Sequence, residues 1–405
     1  MSVRFASRME VMRASDIREL LKVTARPEVI SFGGGLPAPE SFPVAELKAA
    51  AAEVLDTKGA AALQYSTTEG HRGLREIIAR RMNAALGTKV EASGILVTHG
   101  SQQALDLTGK VFLDEGDEVL CESPTYLAAI NALLAFRPRF VEVPTDDEGM
   151  LPDELERRLD RCTRAKLVYV IPNFQNPSGR TWSLERRVAL ARTAARRGLV
   201  VIEDDPYGQL CYEGETPPAL LALADGAPVV YLSTFSKVFC PGMRIGWLAA
   251  PPAIYEKYVL VKQGADLQTS TFSQALLHAY LERHDLDAAI RRIRALYGHR
   301  RDVMLRAMER EFPAGVTWTR PRGGLFLWVT LPEGLSARDV LPRCLERDVA
   351  FVPGGSCFPN GGHENTLRLN FSNQPDERIE EGIARMGAVL RQMTGGREGA
   401  RPAAA

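Results

Sequence analysis

The sequence of 405 residues lacks a surplus of charge, a Cys-x-x-Cys motif and a long apolar segment. Basic residues and acidic residues number 50 each, so no positive surplus is available to bind nucleic acid or an anionic membrane. The six cysteines are scattered, which argues against a disulfide framework and the usual zinc sites, and the six histidines show no metal-ligand spacing. No apolar run approaches the length of a membrane span. We therefore expect a protein without a metal site that binds neither nucleic acid nor a membrane.

The N-terminal segment does not have the pattern of a secretory signal. Arg4, Arg8 and Arg13 lie near the N-terminus, but no apolar segment follows them, so a secretory signal is not expected. The cytoplasm is the compartment that fits this N-terminus and the scattered cysteines. Glycine (34) and proline (25) occur in ordinary amounts, which excludes collagen and low-complexity chains. We expect only the last segment, GGREGARPAAA at 395–405, to be unstructured.

Short apolar runs alternate with amphipathic segments between about residues 92 and 251. The runs are rich in Val, Ile and Leu without a polar alternation, which is typical of strands buried on both faces. Helical patterns such as Leu184–Arg197 separate most of them, and this order predicts an α/β fold with a mostly parallel sheet between two layers of helices. Ligands of such sheets bind at the carboxyl ends of the strands. The runs are ILVTHG (95–100), EVLCES (118–123), RFVEVP (139–144), KLVYVIP (166–172), LVVIEDD (199–205), VVYLSTFS (229–236) and RIGWLAAP (244–251).

A different order of elements follows Thr271. A long helical pattern runs to about Glu311, and the rest of the chain predicts a smaller α+β domain with strands at 316–318, 325–331, 350–352 and 367–371 and helices at 336–347 and 375–391. We predict an N-terminal arm or lid (1–35) with a short helix at 15–23, a large domain (36–289), a small domain (290–394) and a disordered tail (395–405).

Three segments at the ends of predicted strands carry polar groups that suit a carbonyl cofactor. The segment STFSK ends at Lys237 and PGMR follows it; a lysine can form an imine, and hydroxyls with Arg244 can hold a phosphate. Asp204 follows a buried strand, where a carboxylate is well placed to keep a proton on a pyridine nitrogen. Asn176, in the turn PNFQNPSG, can donate to a phenolate oxygen.

Two further segments suit anions. Ser101 begins a helix directly after a strand and a glycine, where free N–H groups and the helix dipole favour a phosphate. Arg368 lies inside an apolar strand, where an arginine is unfavourable unless it meets an anion such as a carboxylate. Taken alone, each of the five segments also fits an ordinary turn, helix cap or ion pair.

In this order and at these spacings, the segments resemble the fold-type I pyridoxal-phosphate (PLP) aminotransferases of class I and II, from about Ser15 to Met393. Within that superfamily the sequence is most similar to the α-aminoadipate aminotransferase group, which includes the kynurenine/aminoadipate enzymes. The segments that carry this similarity are ASDIRELLK, SFGGGLPAPESFP, LQYSTTEG, GSQQALDL, FQNPSGR and FVPGGSCF.

The resemblance implies a role for each matching residue around PLP. Lys237 would form the Schiff base and then move the substrate proton, Asp204 would pair with the pyridinium nitrogen, and Tyr207 would bond the phenolate oxygen together with Asn176. Tyr126 would stack on the ring. The phosphate would be held by Ser101, Gln102, Thr234, Ser236 and Arg244, and by Tyr65 of the neighbouring subunit, so a homodimer is expected.

The resemblance also implies the substrates, an amino acid such as 2-aminoadipate and the acceptor 2-oxoglutarate. Arg368 would bind the substrate α-carboxylate, with Asn176, Gly34 and Gly35 beside it. Arg18 matches the arginine with which the group recognises a distal carboxylate, although a solvated helix arginine would look the same in the sequence.

Three other functions stay open. They are a broad aromatic or branched-chain aminotransferase, a PLP lyase or decarboxylase on the same fold, and a transcriptional regulator that senses PLP. The regulator is disfavoured because FGGGLP begins at Phe32, which leaves no room for a preceding winged-helix domain.

Overall fold

A computed structural model of the chain describes residues 3–12 and 26–395. Within these ranges the helices are α1 (Val44–Ala62), α2 (Arg72–Leu86), α3 (Ser101–Phe112), α4 (Leu127–Leu134), α5 (Pro152–Leu159), α6 (Leu184–Arg197), α7 (Pro252–Asp266), α8 (Thr271–Arg283), α9 (Leu286–Glu311), α10 (Ala337–Leu345) and α11 (Asp376–Gly395). The predicted helix at 15–23, Arg18 and residues 396–405 lie outside the described residues.

The strands in the same ranges form three sheets, of two, four and eight strands. They are β1 (Ile30–Ser31), β2 (Ile95–Thr98), β3 (Glu118–Ser123), β4 (Arg139–Asp146), β5 (Gly149–Met150), β6 (Ala165–Val170), β7 (Val200–Asp204), β8 (Val229–Thr234), β9 (Gly246–Ala249), β10 (Thr317–Trp318), β11 (Phe326–Thr330), β12 (Val349–Ala350), β13 (Val352–Pro353) and β14 (Thr366–Asn370).

The large sheet has eight strands in the order β2-β9-β8-β7-β6-β3-β4-β5. Neighbours from β8 to β4 are parallel, whereas β9 is antiparallel to both of its neighbours and β5 forms a hairpin with β4. The predicted α/β fold with a mostly parallel sheet is therefore confirmed.

The central strands of this sheet, β6 to β9, are mostly apolar because both of their faces are covered. Successive residues of a strand point to opposite faces, and Val201 packs with Leu190 of α6 in one apolar cluster while Ile202 packs in a second, larger cluster. The larger cluster also contains Phe326 and Leu369 of the small sheet, so the two sheets share one core.

The helical pattern after Thr271 is divided into two helices rather than one. His284 is extended (φ −121°, ψ 139°), and the Asp285 carboxylate then accepts the Ala288 N–H at 3.1 Å and begins α9. An aspartate favours this N-cap position because it satisfies an N–H group that the first turn of a helix leaves free.

The small sheet has the order β10-β11-β14-β13 and is antiparallel. The single strand predicted at 350–352 is two short strands with different partners, since β13 joins this sheet whereas β12 pairs with β1. The predicted domain boundary at 289/290 falls within α9, and the division into domains stays a prediction.

In the described part of the chain, no helix is both long and apolar enough to cross a membrane. The His, Cys, Asp and Glu side chains of residues 3–12 and 26–395 form no group that could hold a metal ion.

Candidate active site

Asp204 is the last residue of β7, and the two oxygens of its buried carboxylate differ in their hydrogen bonding. Its Oδ2 accepts a 2.7 Å hydrogen bond from the Tyr169 hydroxyl, whereas its Oδ1 is buried and has no hydrogen-bond partner. Burial raises the pKa of Asp204 to about 7; the hydrogen bond from Tyr169 opposes this rise, and the charge of Asp205 adds to it. An unpaired buried oxygen is unfavourable, so this site is suited to a cationic N–H donor.

The two acids beside Asp204 are also buried, but their oxygens have partners. Glu203 accepts two backbone N–H groups at 2.7 and 2.9 Å. The Oδ1 of Asp205 accepts the Asn173 amide at 2.9 Å, and its Oδ2 accepts the Tyr231 hydroxyl at 2.9 Å. Of these three consecutive acids, therefore, only Asp204 has a buried oxygen without a partner.

Lys237 follows β8 at the end of a short 3-10 turn. Its Nζ donates a 2.7 Å hydrogen bond to the carbonyl oxygen of Gly35 in the glycine turn. Burial lowers the pKa of Lys237 to about 8, with help from the charges of Arg368 and Arg244 and against the charge of Asp204. The neutral amine, which a nucleophile must be, therefore forms as pH rises through about 8 instead of through 10.5.

Arg368 projects from β14 as a buried cation whose partners are neutral. It donates to the side-chain oxygen of Asn176 at 2.8 Å and to the carbonyl oxygen of Gly33 at 2.7 Å, and its guanidinium carbon lies 4.3 Å from the ring centre of Phe326. Its Nε is buried without a hydrogen-bond partner. An arginine in this state favours an anionic ligand that balances its charge.

Tyr207 and Tyr126 lie close to this arginine. The Asn176 amide nitrogen donates to the Tyr207 hydroxyl at 3.3 Å, and the Tyr207 ring packs edge-on against Phe326 at 5.8 Å. Burial raises the pKa of Tyr207, so its hydroxyl keeps its proton and can act as a donor. Burial likewise raises the pKa of Tyr126, at the start of α4, to about 12, and the charge of Arg368 opposes that rise.

The N-terminus of α3 is packed tightly against β9 and the Arg244 turn. Gly100 precedes the helix at φ 71°, and an added Cβ there would collide with the Arg244 guanidinium. A Cβ on Gly246 would lie 2.6 Å from the carbonyl carbon of Gly100 and 2.7 Å from the backbone nitrogen of Ser101. Gly246 must therefore be a glycine. The Arg244 guanidinium beside Gly100 also lies close to the free N–H groups at the start of α3, and this arrangement suits a phosphate.

Further polar groups are held in the turns beside this helix start. The Thr234 hydroxyl donates to the Ile245 carbonyl at 3.0 Å and accepts the Ser236 N–H at 3.1 Å. The Gln102 amide donates to the carbonyl oxygen of Ala128 at 3.4 Å. The Thr234 hydroxyl and the Gln102 amide are thus held by backbone groups close to Arg244, Lys237 and Tyr126.

One predicted residue does not lie in this cluster, and another lies outside the described residues. Tyr65 is 78% exposed, and the prediction that it reaches a neighbouring subunit stays a prediction. Arg18 lies outside the described residues. Gly34 lies between Gly33 and Gly35, whose carbonyl groups accept from Arg368 and Lys237.

Sequence analysis missed two residues that shape the site. Tyr169 lies in the run KLVYVIP, and a buried tyrosine needs a partner for its hydroxyl; the parallel pairing of β6 with β7 supplies Asp204. Phe326 is one apolar residue among many in its strand, and nothing in the sequence singles out its contact with Arg368.

Comparison with known proteins identifies the family. The family model "Aminotransferase class I and II" matches residues 27–386. The chain is 48% identical over 383 residues to a 2-aminoadipate transaminase of Thermus thermophilus (94% of each chain) and 44% identical over 392 residues to aromatic-amino-acid aminotransferase 1 of Thermococcus litoralis (96% of this chain, 94% of the relative).

A solved structure shows the same relationship. The α-aminoadipate aminotransferase of Thermus thermophilus, in complex with N-(5′-phosphopyridoxyl)-L-leucine, superposes with a TM-score of 0.90 at 45% identity and covers 96% of this chain and 98% of its own. The chain therefore belongs to the class I and II aminotransferases, and the fold-type I, PLP-dependent family predicted from its motifs is confirmed.

Proposed function

We propose that this enzyme transfers the amino group of 2-aminoadipate and related amino acids to 2-oxoglutarate, with PLP held at Lys237. The observation that carries the proposal is the unpartnered Oδ1 of Asp204, a buried acceptor within electrostatic reach of a lysine whose pKa is lowered to about 8. This pair fits PLP, which has a basic ring nitrogen and an aldehyde.

PLP supplies, when bound, a cationic ring that accepts electron density from the substrate Cα. Asp204 Oδ1 would accept a hydrogen bond from the protonated ring nitrogen and keep that proton in place. Lys237 Nζ would hold PLP through its aldehyde carbon, with loss of the aldehyde oxygen as water. Once released by the substrate amine, its neutral amine would be the base that moves the proton between Cα and C4′. The lowered pKa of Lys237 suits it to this exchange.

The remaining groups orient the cofactor. Tyr207 and Asn176 donate to the phenolate oxygen, and Tyr126 covers one face of the ring. The phosphate contacts come from the start of α3 and from the turns after β8: Ser101, Gln102, Thr234, Ser236 and Arg244.

A second copy of the chain completes the site in this proposal. The partner subunit's Tyr65 donates its hydroxyl to the phosphate, which accounts for the high exposure of Tyr65 in the single chain. A homodimer in solution is therefore expected, with each subunit formed by a large domain at 36–289 and a small domain at 290–394.

Arg368 binds the α-carboxylate of every substrate, and the turn at Gly34 and Gly35 lies beside it. Its buried, unpartnered Nε and its neutral partners support this role. Arg18 binds the distal carboxylate of 2-aminoadipate and of glutamate.

The substrate assignment is tested by kcat/KM for 2-aminoadipate, glutamate, leucine, phenylalanine and kynurenine, each with 2-oxoglutarate as acceptor. The proposal requires 2-aminoadipate to rank first or beside glutamate. A second candidate, broad aromatic and branched-chain transamination, is supported by the 44% identity to an aromatic-amino-acid aminotransferase. Higher values for phenylalanine and leucine than for 2-aminoadipate would establish that second function.

A further inference from the structure

Tyr169 and Asp204 form a buried pair across two neighbouring parallel strands. Tyr169 lies on β6 with 2% of its surface exposed, Asp204 ends β7 with 1% exposed, and 2.7 Å separates the hydroxyl from Oδ2. Because the hydroxyl occupies Oδ2, the carboxylate group is fixed in rotation and Oδ1 is the oxygen that remains free. The proposed ring-nitrogen contact therefore depends on a side chain that does not itself touch the cofactor.

The hydrogen bond also acts on the charge of Asp204. Burial and the neighbouring Asp205 both favour the neutral acid, and the Tyr169 hydroxyl is the largest influence in favour of the carboxylate, ahead of Lys237. Without that donor, two buried oxygens would lack partners, and the acid would be protonated at higher pH. A protonated Asp204 no longer attracts a cationic ring nitrogen.

We propose that Tyr169 is a positioning residue for the cofactor, which orients Asp204 and keeps it charged so that Oδ1 can hold the protonated ring nitrogen. The inference rests on the proposed function, because it assumes that PLP occupies this site with its nitrogen at Asp204.

Tyr231 offers a matched control one strand away. It lies on β8, is 2% exposed, and donates its hydroxyl to Oδ2 of Asp205 at 2.9 Å. Asp205 also accepts from Asn173 and from the backbone of Gly208, so neither of its oxygens is free for a ligand. Loss of either tyrosine hydroxyl thus removes one buried hydrogen bond to an aspartate. Only Tyr169, however, bonds to the aspartate whose other oxygen has no partner.

The test compares the equilibrium affinities of the apo-enzyme for PLP and for a carbocyclic analogue in which C–H replaces the ring nitrogen. Wild type is expected to bind PLP more tightly than the analogue, and Y231F is expected to keep the same ratio of affinities. In Y169F this ratio is expected to fall about 10- to 100-fold, the range of a hydrogen bond to a charged group. An undiminished preference in Y169F would overturn the role of Tyr169. Equal binding of both compounds by wild type would instead overturn the proposed contact between Asp204 and the ring nitrogen.

A second pair of variants keeps the test decisive if Y169F folds poorly. In D204A and Y169F/D204A, no carboxylate is left unpaired, so the hydroxyl can be removed without burying an unsatisfied acceptor. The two variants are expected to show the same preference between the two compounds. A further loss of preference in Y169F/D204A would show that Tyr169 acts independently of Asp204, and it would refute the inference.

Discussion

The side-chain oxygen of Asn176 accepts a 2.8 Å hydrogen bond from Arg368, a residue 192 positions away in the sequence. The amide nitrogen of the same asparagine donates to the Tyr207 hydroxyl at 3.3 Å. One side chain thus connects the cation proposed for the substrate carboxylate with the tyrosine proposed for the cofactor ring. A displacement of Arg368 would therefore also disturb the hydrogen bond between Asn176 and Tyr207.

Replacement of Arg368 by lysine is expected to lower kcat/KM for every amino acid substrate to a similar extent. Lysine keeps the charge but loses the planar pair of donors that binds a carboxylate at two points. We expect kcat/KM for 2-aminoadipate, leucine and phenylalanine to fall about 10- to 100-fold each, the range of one charge-assisted hydrogen bond. PLP affinity is the control and should fall much less than kcat/KM, because Arg368 reaches the proposed cofactor contacts only through Asn176. A loss confined to the acidic substrates would place Arg368 at the distal carboxylate instead.

Covalent capture of PLP by the apo-enzyme should follow the titration of Lys237. Since its pKa is lowered from 10.5 to about 8, the neutral amine forms as pH rises through about 8. The capture rate, measured by stopped-flow absorbance, is expected to increase across that pH and to level off above it. Between pH 8 and 10.5 the unfolded chain binds the extra proton, so this group makes the apo-enzyme more stable as pH rises. A midpoint near 10.5 would show that Lys237 is not perturbed.

Asp204 should influence apo-enzyme stability in the opposite sense. Its pKa is raised from 3.8 to about 7, so the folded state binds more protons between these values. The favourable contribution is full below about pH 4 and is lost as pH rises through 7. The melting temperature of wild type should therefore decline relative to that of D204N between pH 5 and 8. The titration of Glu203 contributes equally to both proteins, so it does not affect this difference. Parallel curves would contradict the raised pKa.

A methyl group at Gly246 is expected to damage the phosphate end of the site. A Cβ there would meet backbone atoms of Gly100 and Ser101 at 2.6 and 2.7 Å, so the helix start must move. We expect G246A to bind PLP about tenfold more weakly or worse, because overpacking of this kind costs about 1–3 kcal/mol. The matched control is G242A, since no atom lies within 4 Å of a Cβ at Gly242. Equal dissociation constants for the two variants would remove the α3 start from the phosphate site.

Replacement of Arg18 by alanine tests the proposed recognition of a distal carboxylate. KM for 2-aminoadipate and for glutamate should rise far more than KM for leucine, which has no second carboxylate to bind. Steady-state kinetics with 2-oxoglutarate held at saturation separates the donors. Equal effects on all three would leave Arg18 without a part in substrate choice.

The strands and the local motifs could be predicted from the sequence because both depend on residues close together in the chain. Unalternated apolar runs predict buried parallel strands, and Lys237 and Asp204 stand directly after two of them. The long-range contacts could not be predicted. Tyr169 meets Asp204 because β6 pairs with β7, and Arg368 lies on Phe326 because β14 pairs with β11. The boundary at Asp285 was missed because its capping role interrupts a helical pattern that contains no proline.

The covalent attachment of PLP to one lysine is the central claim, and borohydride reduction followed by peptide mass spectrometry tests it most directly. Wild-type enzyme loaded with PLP should carry a single reduced pyridoxyl group on Lys237, and K237A treated in the same way should carry none. A pyridoxyl group on another lysine, or wild-type enzyme that acquires none, would contradict the account.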